Sequence, residues 1–251
     1  MTKRDGIAAP RDDRPDLFLL AIDTAGSVCS VALGRGGIVL AMERLALRHG
    51  HAEALLPMVD RVVAAAGLKP KALDIIAAAV GPGGFTGIRV GLGAARGIAL
   101  ALQARAIGVT SFAAVAAPLA SDRNHPDVLL VALDSRRDDF YVQLYDRRAV
   151  MPLAAPQAVP PEALADYVAA IVGAGPLLVA GDMAEAAAIA LGRRPGIEIA
   201  AGSAPDATGV LAAAWRQTKS DPAGNPLRPL YLRPPDVSLP RRREPLPAAA
   251  P

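Results

Sequence analysis

The stretch GPGGFTGIRVGLGAARGIALA, residues 81–101, follows an apolar run at 75–80 that predicts a short buried strand. Four glycines and a proline occupy its first seven positions, and an alanine-rich segment follows. The pattern predicts a strand, a tight turn and the start of a helix. A glycine turn that leads into a helix can present backbone N–H groups to an anion. The alternative is a packed turn without a ligand. The candidate turn residues are Gly81, Gly83, Gly84, Thr86 and Gly87.

Composition limits the class of protein. The chain has 251 residues, of which 52% are hydrophobic and only 4% aromatic, so alanine, valine and leucine must fill the core. The single cysteine, Cys29, excludes a disulfide framework and favours a reducing, cytoplasmic compartment. Arginines interrupt the longest apolar stretch, so no membrane span is expected. Residues 1–16 lack an apolar core, and we predict a disordered extension rather than a signal peptide.

The charge distribution argues against autonomous binding of nucleic acid. The formal net charge is +3, but residues 1–16 are net neutral and residues 233–251 carry +2, which leaves +1 for the intervening body. A nearly neutral body is a poor electrostatic footprint for RNA. The run Arg241 to Arg243 is predicted to be a solvated tail element.

An internal repeat predicts two similar lobes. The segment FLLAIDTAGSVCSVALG from Phe18 matches LLVALDSRRDDFYVQLYD from Leu129 when Asp23 is aligned with Asp134. Each copy predicts a strand that ends in an acidic residue, a polar turn and a second strand. A helix pattern follows each copy, in HAEALLPMVDRVVAAAG and PEALADYVAAIVGAG. We therefore expect α/β lobes with mixed sheets flanked by helices.

The predicted division has four parts. Residues 1–16 form the extension, 17–107 lobe one, 108–220 lobe two, and 221–251 a proline-rich, partly disordered C-terminal segment. Nine of the 23 prolines fall in this last segment.

Asp23 and Asp134 end corresponding strands and would therefore lie near a cleft between the lobes. There they could hold Mg²⁺ or a phosphate, or they could simply close Asx turns. Lobe two has Arg136 and Arg137 where a phosphate loop needs glycine, so ATP hydrolysis by this chain is not expected. The candidates for weak, degenerate nucleotide binding are Asp23, Thr24, Gly26, Ser27, Asp134 and Ser135.

No metal or cofactor site is predicted. His49 and His51 flank Gly50 without a third ligand, and His125 lies far along the chain. Surface or capping roles are the expected ones for such histidines.

The helix pattern from His51 has an apolar stripe, and the segment after the glycine turn has a face of small residues at four-residue spacing, Gly87, Gly91 and Ala95. Together they predict either core packing or an apolar platform for a partner subunit. The residues assigned to this interface are Leu55, Met58, Val59, Val62, Arg89, Gly91, Leu92 and Ala95.

The motifs AIDTAGSVCSVAL, HAEALLPMVDRVVAAAG, VGPGGFTGIRVGLGAARGIA, GVTSFAAVA, ALDSRRDDFYVQLY and PLYLRPP occur in this order. Together they resemble the TsaB (YeaZ) family. The resemblance implies an actin-like (ASKHA, ribonuclease H-like) duplicated fold. It also implies a role as non-catalytic partner of a TsaD-type transferase, which modifies the adenosine beside the tRNA anticodon.

The same resemblance implies a TsaE-type ATPase as a further partner, contact with tRNA only through the complex, and a possible homodimer when the chain is alone. The metal-binding histidines of the catalytic relative would fall at Ser111 and Val115, neither of which can replace them. A stand-alone actin-like ATPase or small-molecule kinase is the alternative function. A metalloprotease would require the missing histidines.

Overall fold

The computed structural model describes residues 17–47, 50–220 and 225–233. The expectations for residues 1–16, for His49 and for the Arg241 to Arg243 run lie outside the described residues.

The first sheet contains five strands in the order β3-β2-β1-β4-β5. β1 runs antiparallel to β2 and parallel to β4, and β4 is buried along its whole length. Burial on both faces explains the uninterrupted apolar run at this point of the sequence. The strands are β1 (Phe18–Asp23), β2 (Val28–Arg35), β3 (Ile38–Ala46), β4 (Ile75–Gly81) and β5 (Arg105–Thr110).

Four helices pack on this sheet. The first two, α1 (His51–Ala65) and α2 (Phe85–Leu102), lie side by side, with α1 over β2 and β3 and α2 over β4. The other two are α3 (Ser111–Leu119) and α6 (Ala207–Ser220), which pack extensively on each other. Helix α6 also contacts β1, β2, β4 and β5, so the last long helix belongs to the first sheet.

The second sheet has the order β11-β10-β6-β7-β8, and β9 pairs with β7. Its strands are β6 (Val128–Asp134), β7 (Phe140–Asp146), β8 (Met151–Pro152), β9 (Gln157–Val159), β10 (Leu177–Ala180) and β11 (Ile197–Ile199). Two helices, α4 (Leu164–Val172) and α5 (Ala184–Ala190), accompany it. Short 3-10 turns span Pro70–Ala72 and Pro161–Ala163.

The predicted duplication is present in the strand pairing. In the first sheet an antiparallel hairpin, β1–β2, is joined by the parallel strand β4; in the second, β6–β7 is joined by β10 in the same way. The hairpin turns follow Asp23 and Asp134, as the alignment of the two copies requires. The predicted class, two mixed sheets flanked by helices, is confirmed.

The boundary between the lobes differs from the predicted one. A division after residue 107 would cut β5, which continues to Thr110. Helix α6 was predicted to lie in lobe two, but its buried residues join the core of the first sheet, where Gly34 leaves room for Leu211. The chain therefore returns to lobe one at its last helix, a long-range contact that local periodicity does not encode.

Candidate functional site

The turn after β1 is held by its own side chains. Asp23 is 2% exposed, and its Oδ1 accepts a hydrogen bond of 2.8 Å from the Ala25 N–H. The Thr24 hydroxyl donates to the carbonyl oxygen of Gly87 at 2.7 Å, which fastens the turn to α2. Asp23 thus closes an Asx turn, and Thr24 is committed to a contact within the chain.

The turn after β6 repeats the arrangement. The Asp134 Oδ1 accepts from the Arg136 N–H at 2.7 Å, and Arg136 adopts a left-handed backbone conformation with φ of 63°. The buried Ser135 hydroxyl lies 2.6 Å from the carbonyl oxygen of Asp139 and 2.5 Å from its carboxylate. Both aspartates therefore act as turn closers, and Ser135 stabilises its own hairpin.

The glycine turn is filled by the chain itself. The Gly84 N–H donates to the carbonyl oxygen of Ala25 at 2.7 Å. An added Cβ on Gly83 would collide with that same oxygen, and one on Gly87 would collide with the Thr24 carbonyl. Glycine is required at Gly83 and Gly87 because the backbone of this turn touches the backbone of the turn after β1. This agrees with the alternative of a packed turn without a ligand. Of the turn residues, only Thr86 is well exposed.

Two adjoining cavities lie beside these turns, and Gly26 and Arg136 line both. The smaller, about 110 Å³, is bounded by both hairpin turns and is here called the cleft cavity. Its lining is Ala25, Gly26, Ser27, Pro82, Gly83, Ser111, Leu133, Asp134, Arg136, Asp182 and Pro205. The larger, about 470 Å³, opens at the N-termini of α1 and α2. Among the predicted nucleotide candidates, Gly26, Ser27 and Asp134 line the cleft cavity and remain open to a ligand.

Burial shapes the electrostatics beneath the cleft. Desolvation raises the pKa of Asp23 to about 6; the hydrogen bond from Ala25 opposes this rise, and the carboxylates of Asp206 and Asp182 add to it. The pKa of Asp182 is also raised, first by burial and then by the charge of Asp134. The Asp182 Oδ1 accepts from the Asp134 N–H at 3.0 Å, which joins the two acidic residues.

Sequence reasoning did not select Asp182 or the hydroxyl of Ser111 as ligand groups. Asp182 follows β10, the strand of lobe two that corresponds to β4, so its position just after a parallel strand was an available signal. From the sequence, Ser111 was identified only as the position that aligns with a metal-binding histidine of the catalytic relative. Its hydroxyl is buried and has no hydrogen-bond partner among the described residues.

The predicted partner interface needs correction. Most of its residues are buried in the core of the first sheet and cannot touch a partner: Leu55, Met58, Val59, Val62, Gly91, Leu92 and Ala95. Gly91 is small because Thr24 lies against it. Among the predicted interface residues only Arg89 is exposed, and its guanidinium lies over the Phe85 ring, 3.5 Å from the centroid. The core-packing alternative therefore applies to this stripe.

No cluster of three or more potential metal ligands occurs within the described parts of the chain. His125 lies 2.7 Å from a carboxylate oxygen of Glu198, and Val115 is buried in an apolar cluster.

Of the described helices, only α2 has the length and apolar composition of a membrane span. It packs against β4 and carries two arginines.

The architecture is that of the actin-like, ASKHA class. A hexokinase of the ROK family from Thermus thermophilus shares the fold, with a TM-score of 0.50 at 15% identity over 79% of this chain and 97% of that one. This chain likewise has two sheets of matching topology, whose strands β1 and β6 end in aspartate beside a shared cleft.

Closer relatives identify the family. A profile described as TsaD, tRNA N6-adenosine threonylcarbamoyltransferase, matches residues 37–170, more than half of the chain. The structure of YeaZ from Pseudomonas aeruginosa superposes with a TM-score of 0.73 at 30% identity, covering 86% of this chain and all of that one. The chain belongs to the TsaB (YeaZ) family.

A curated sequence relative agrees. The tRNA threonylcarbamoyladenosine biosynthesis protein TsaB of Escherichia coli is 38% identical over 129 residues, 51% of this chain and 55% of that protein. The chain thus spans about half the length of the curated TsaB proteins that it matches.

Proposed function

We propose that this chain takes part in the biosynthesis of threonylcarbamoyladenosine in tRNA, as the non-catalytic partner of a TsaD-type transferase. Membership of the TsaB family, carried by more than half of the chain, is the observation on which the proposal rests. A TsaE-type ATPase is the further partner, and the cytoplasm is the expected compartment.

The cleft supports a role without catalysis of its own. A phosphate loop in lobe two would need backbone N–H groups open to the ligand, but Arg136 occupies the turn and its guanidinium approaches Gly84 across the cleft. The hydroxyls of Thr24 and Ser135 already donate hydrogen bonds to backbone carbonyl oxygens. A stand-alone ATPase or kinase is therefore not favoured.

The surface that we propose for the transferase is the outer face of α1 and α2. Gly93 and Gly97 lie four residues apart on α2, and an added Cβ on either would meet nothing within 4 Å. Leu100 on the same helix is 83% exposed, and Leu56 on α1 is 54% exposed. An open small-residue stripe between exposed leucines allows a partner helix to approach closely. This outer face replaces the buried stripe of the sequence-based prediction.

Co-purification tests the proposal. The full chain, carrying an affinity tag, should retain the TsaD-type protein of the same organism in a complex of defined stoichiometry on size-exclusion chromatography. The purified chain alone should show neither ATP turnover nor threonylcarbamoyl transfer to tRNA. A chain that turns over ATP at an enzymatic rate by itself, and that ignores the TsaD-type protein, would support the kinase alternative instead.

A further inference from the structure

The cleft cavity has two chemically different walls. Lobe two contributes Asp134 and Asp182, two carboxylates linked by the hydrogen bond from the Asp134 N–H. Lobe one contributes Ser111, the first residue of α3. The first-turn N–H groups of a helix have no partner within it, and they carry the positive end of its dipole.

Ser111 provides an independent sign of a ligand. The residue is 1% exposed and lines the cavity, and its Oγ has no hydrogen-bond partner in the part of the chain that the structure describes. A buried hydroxyl without a partner is destabilising, so a ligand that accepts its hydrogen bond would remove this penalty. The neighbouring Thr110 hydroxyl is already engaged, because it accepts from the Ala113 N–H at 3.0 Å. Ser111 is therefore the free polar side chain at this helix start.

The charges of the two walls exclude simple ions as the best occupant. A lone anion at the start of α3 would face the carboxylates of Asp134 and Asp182. A lone cation between those carboxylates would leave the positive end of α3 without a counter-charge. A molecule with both charges satisfies both walls.

We propose that the cleft cavity binds a small zwitterion, an α-amino acid, with its ammonium group at Asp134 and Asp182 and its carboxylate at Ser111 and the N-terminus of α3. The volume of about 110 Å³ sets the size. Because a cavity of about 150 Å³ accommodates the six heavy atoms of benzene, this one suits a molecule of roughly four to five heavy atoms. Glycine is in this range, alanine and serine exceed it by one or two heavy atoms, and a nucleotide is far larger. This site is separate from the outer face of α1 and α2.

Isothermal titration calorimetry on the full chain tests the proposal with glycine, alanine and serine. Acetate and methylammonium, which carry one charge each, are the matched ligand controls. At least one amino acid should bind with one-to-one stoichiometry, and each single-charge control should bind at least about tenfold more weakly.

Two variants locate the binding. Ser111→Ala and Asp182→Asn should each weaken binding by about tenfold or more. Asp138→Asn, in the same hairpin but outside the cavity, and the exposed Ser220→Ala should leave binding unchanged. Ser111→Ala removes only an unpartnered hydroxyl, so its melting temperature should not fall. This separates loss of the ligand from loss of the fold.

Two results would overturn the proposal. One is the absence of binding by all three amino acids up to about 10 mM. The other is equal binding of acetate and the amino acids, which would identify an anion site. Neither result bears on association with a TsaD-type protein, so the proposed function is tested separately.

Discussion

Asp23 is a buried carboxyl whose titration the fold alters. Its pKa in the folded chain is about 6, above the ordinary value of 3.8. Below the ordinary value Asp23 is protonated in both the folded and the unfolded chain, and its contribution to stability is fully present. As the pH rises towards 6 the unfolded chain releases this proton first, so the contribution of Asp23 to stability falls and then levels off.

The Asp23→Asn variant tests this titration. The amide oxygen can still accept from the Ala25 N–H, but the group no longer ionises. The free energy of unfolding of the wild type, minus that of the variant, should decrease by about 2 to 3 kcal/mol between pH 4 and pH 7. Urea unfolding at several pH values measures the difference. A constant difference across this range would mean that Asp23 titrates normally.

Two glycines of α2 should respond oppositely to the same substitution. Gly87→Ala places a methyl group against the Thr24 carbonyl and should lower the free energy of unfolding by about 1 to 3 kcal/mol. Gly93→Ala adds a methyl group in open space and should raise it by up to about 1 kcal/mol. Chemical denaturation of both variants measures the contrast. Equal effects would contradict the packing of the glycine turn on the β1–β2 turn.

At the scale of elements, a substitution on the outer face of α1 and α2 should weaken partner binding without weakening the fold. Gly93→Leu should retain the fold, with an unchanged or higher melting temperature, because leucine favours the helix. It should nevertheless weaken association with the TsaD-type protein by at least about tenfold, since the side chain prevents close helix packing.

The matched control for this variant is Ala170→Leu, at an exposed position on α4 in lobe two. Surface plasmon resonance with the immobilised TsaD-type protein compares the two. If Gly93→Leu binds like the wild type, the partner surface lies elsewhere.

Local patterns predicted most of the elements. The helix from His51 begins where its pattern predicted, because helical periodicity is a local property of the chain. The repeat predicted the corresponding turns after Asp23 and Asp134. The sequence alone could not tell whether the apolar stripe on α1 packs on the sheet or on a partner, because the pattern is the same in both cases. Only the docking of α1 and α2 onto β2 and β4 shows that it belongs to the core.

The candidate site was less predictable for the same reason. The cleft cavity joins residues from turns far apart in the chain, such as Gly26, Ser111 and Asp182. The return of α6 to the first sheet likewise depends on long-range packing with α3. Neither juxtaposition leaves a periodic signal in the sequence.

At the scale of the whole molecule, we expect weak binding of tRNA by this chain alone. The net charge of +1 on the body and the low aromatic content provide little for phosphate contacts or base stacking. A complex with the TsaD-type protein should bind more tightly and with a steeper dependence on salt. Filter binding at several salt concentrations compares the chain, the complex and a truncation that lacks residues 234–251. Submicromolar binding by the truncated chain alone would contradict this expectation.

The central claim is that this chain supports a transferase without being one. Its most direct test is reconstituted threonylcarbamoyl transfer to tRNA, with the TsaD-type protein, the TsaE-type ATPase and threonylcarbamoyl-adenylate supplied, in the presence and absence of this chain. We predict modified adenosine only when this chain is present, and none when this chain replaces the TsaD-type protein. Equal product formation without this chain, or product formation by this chain alone, would contradict the claim.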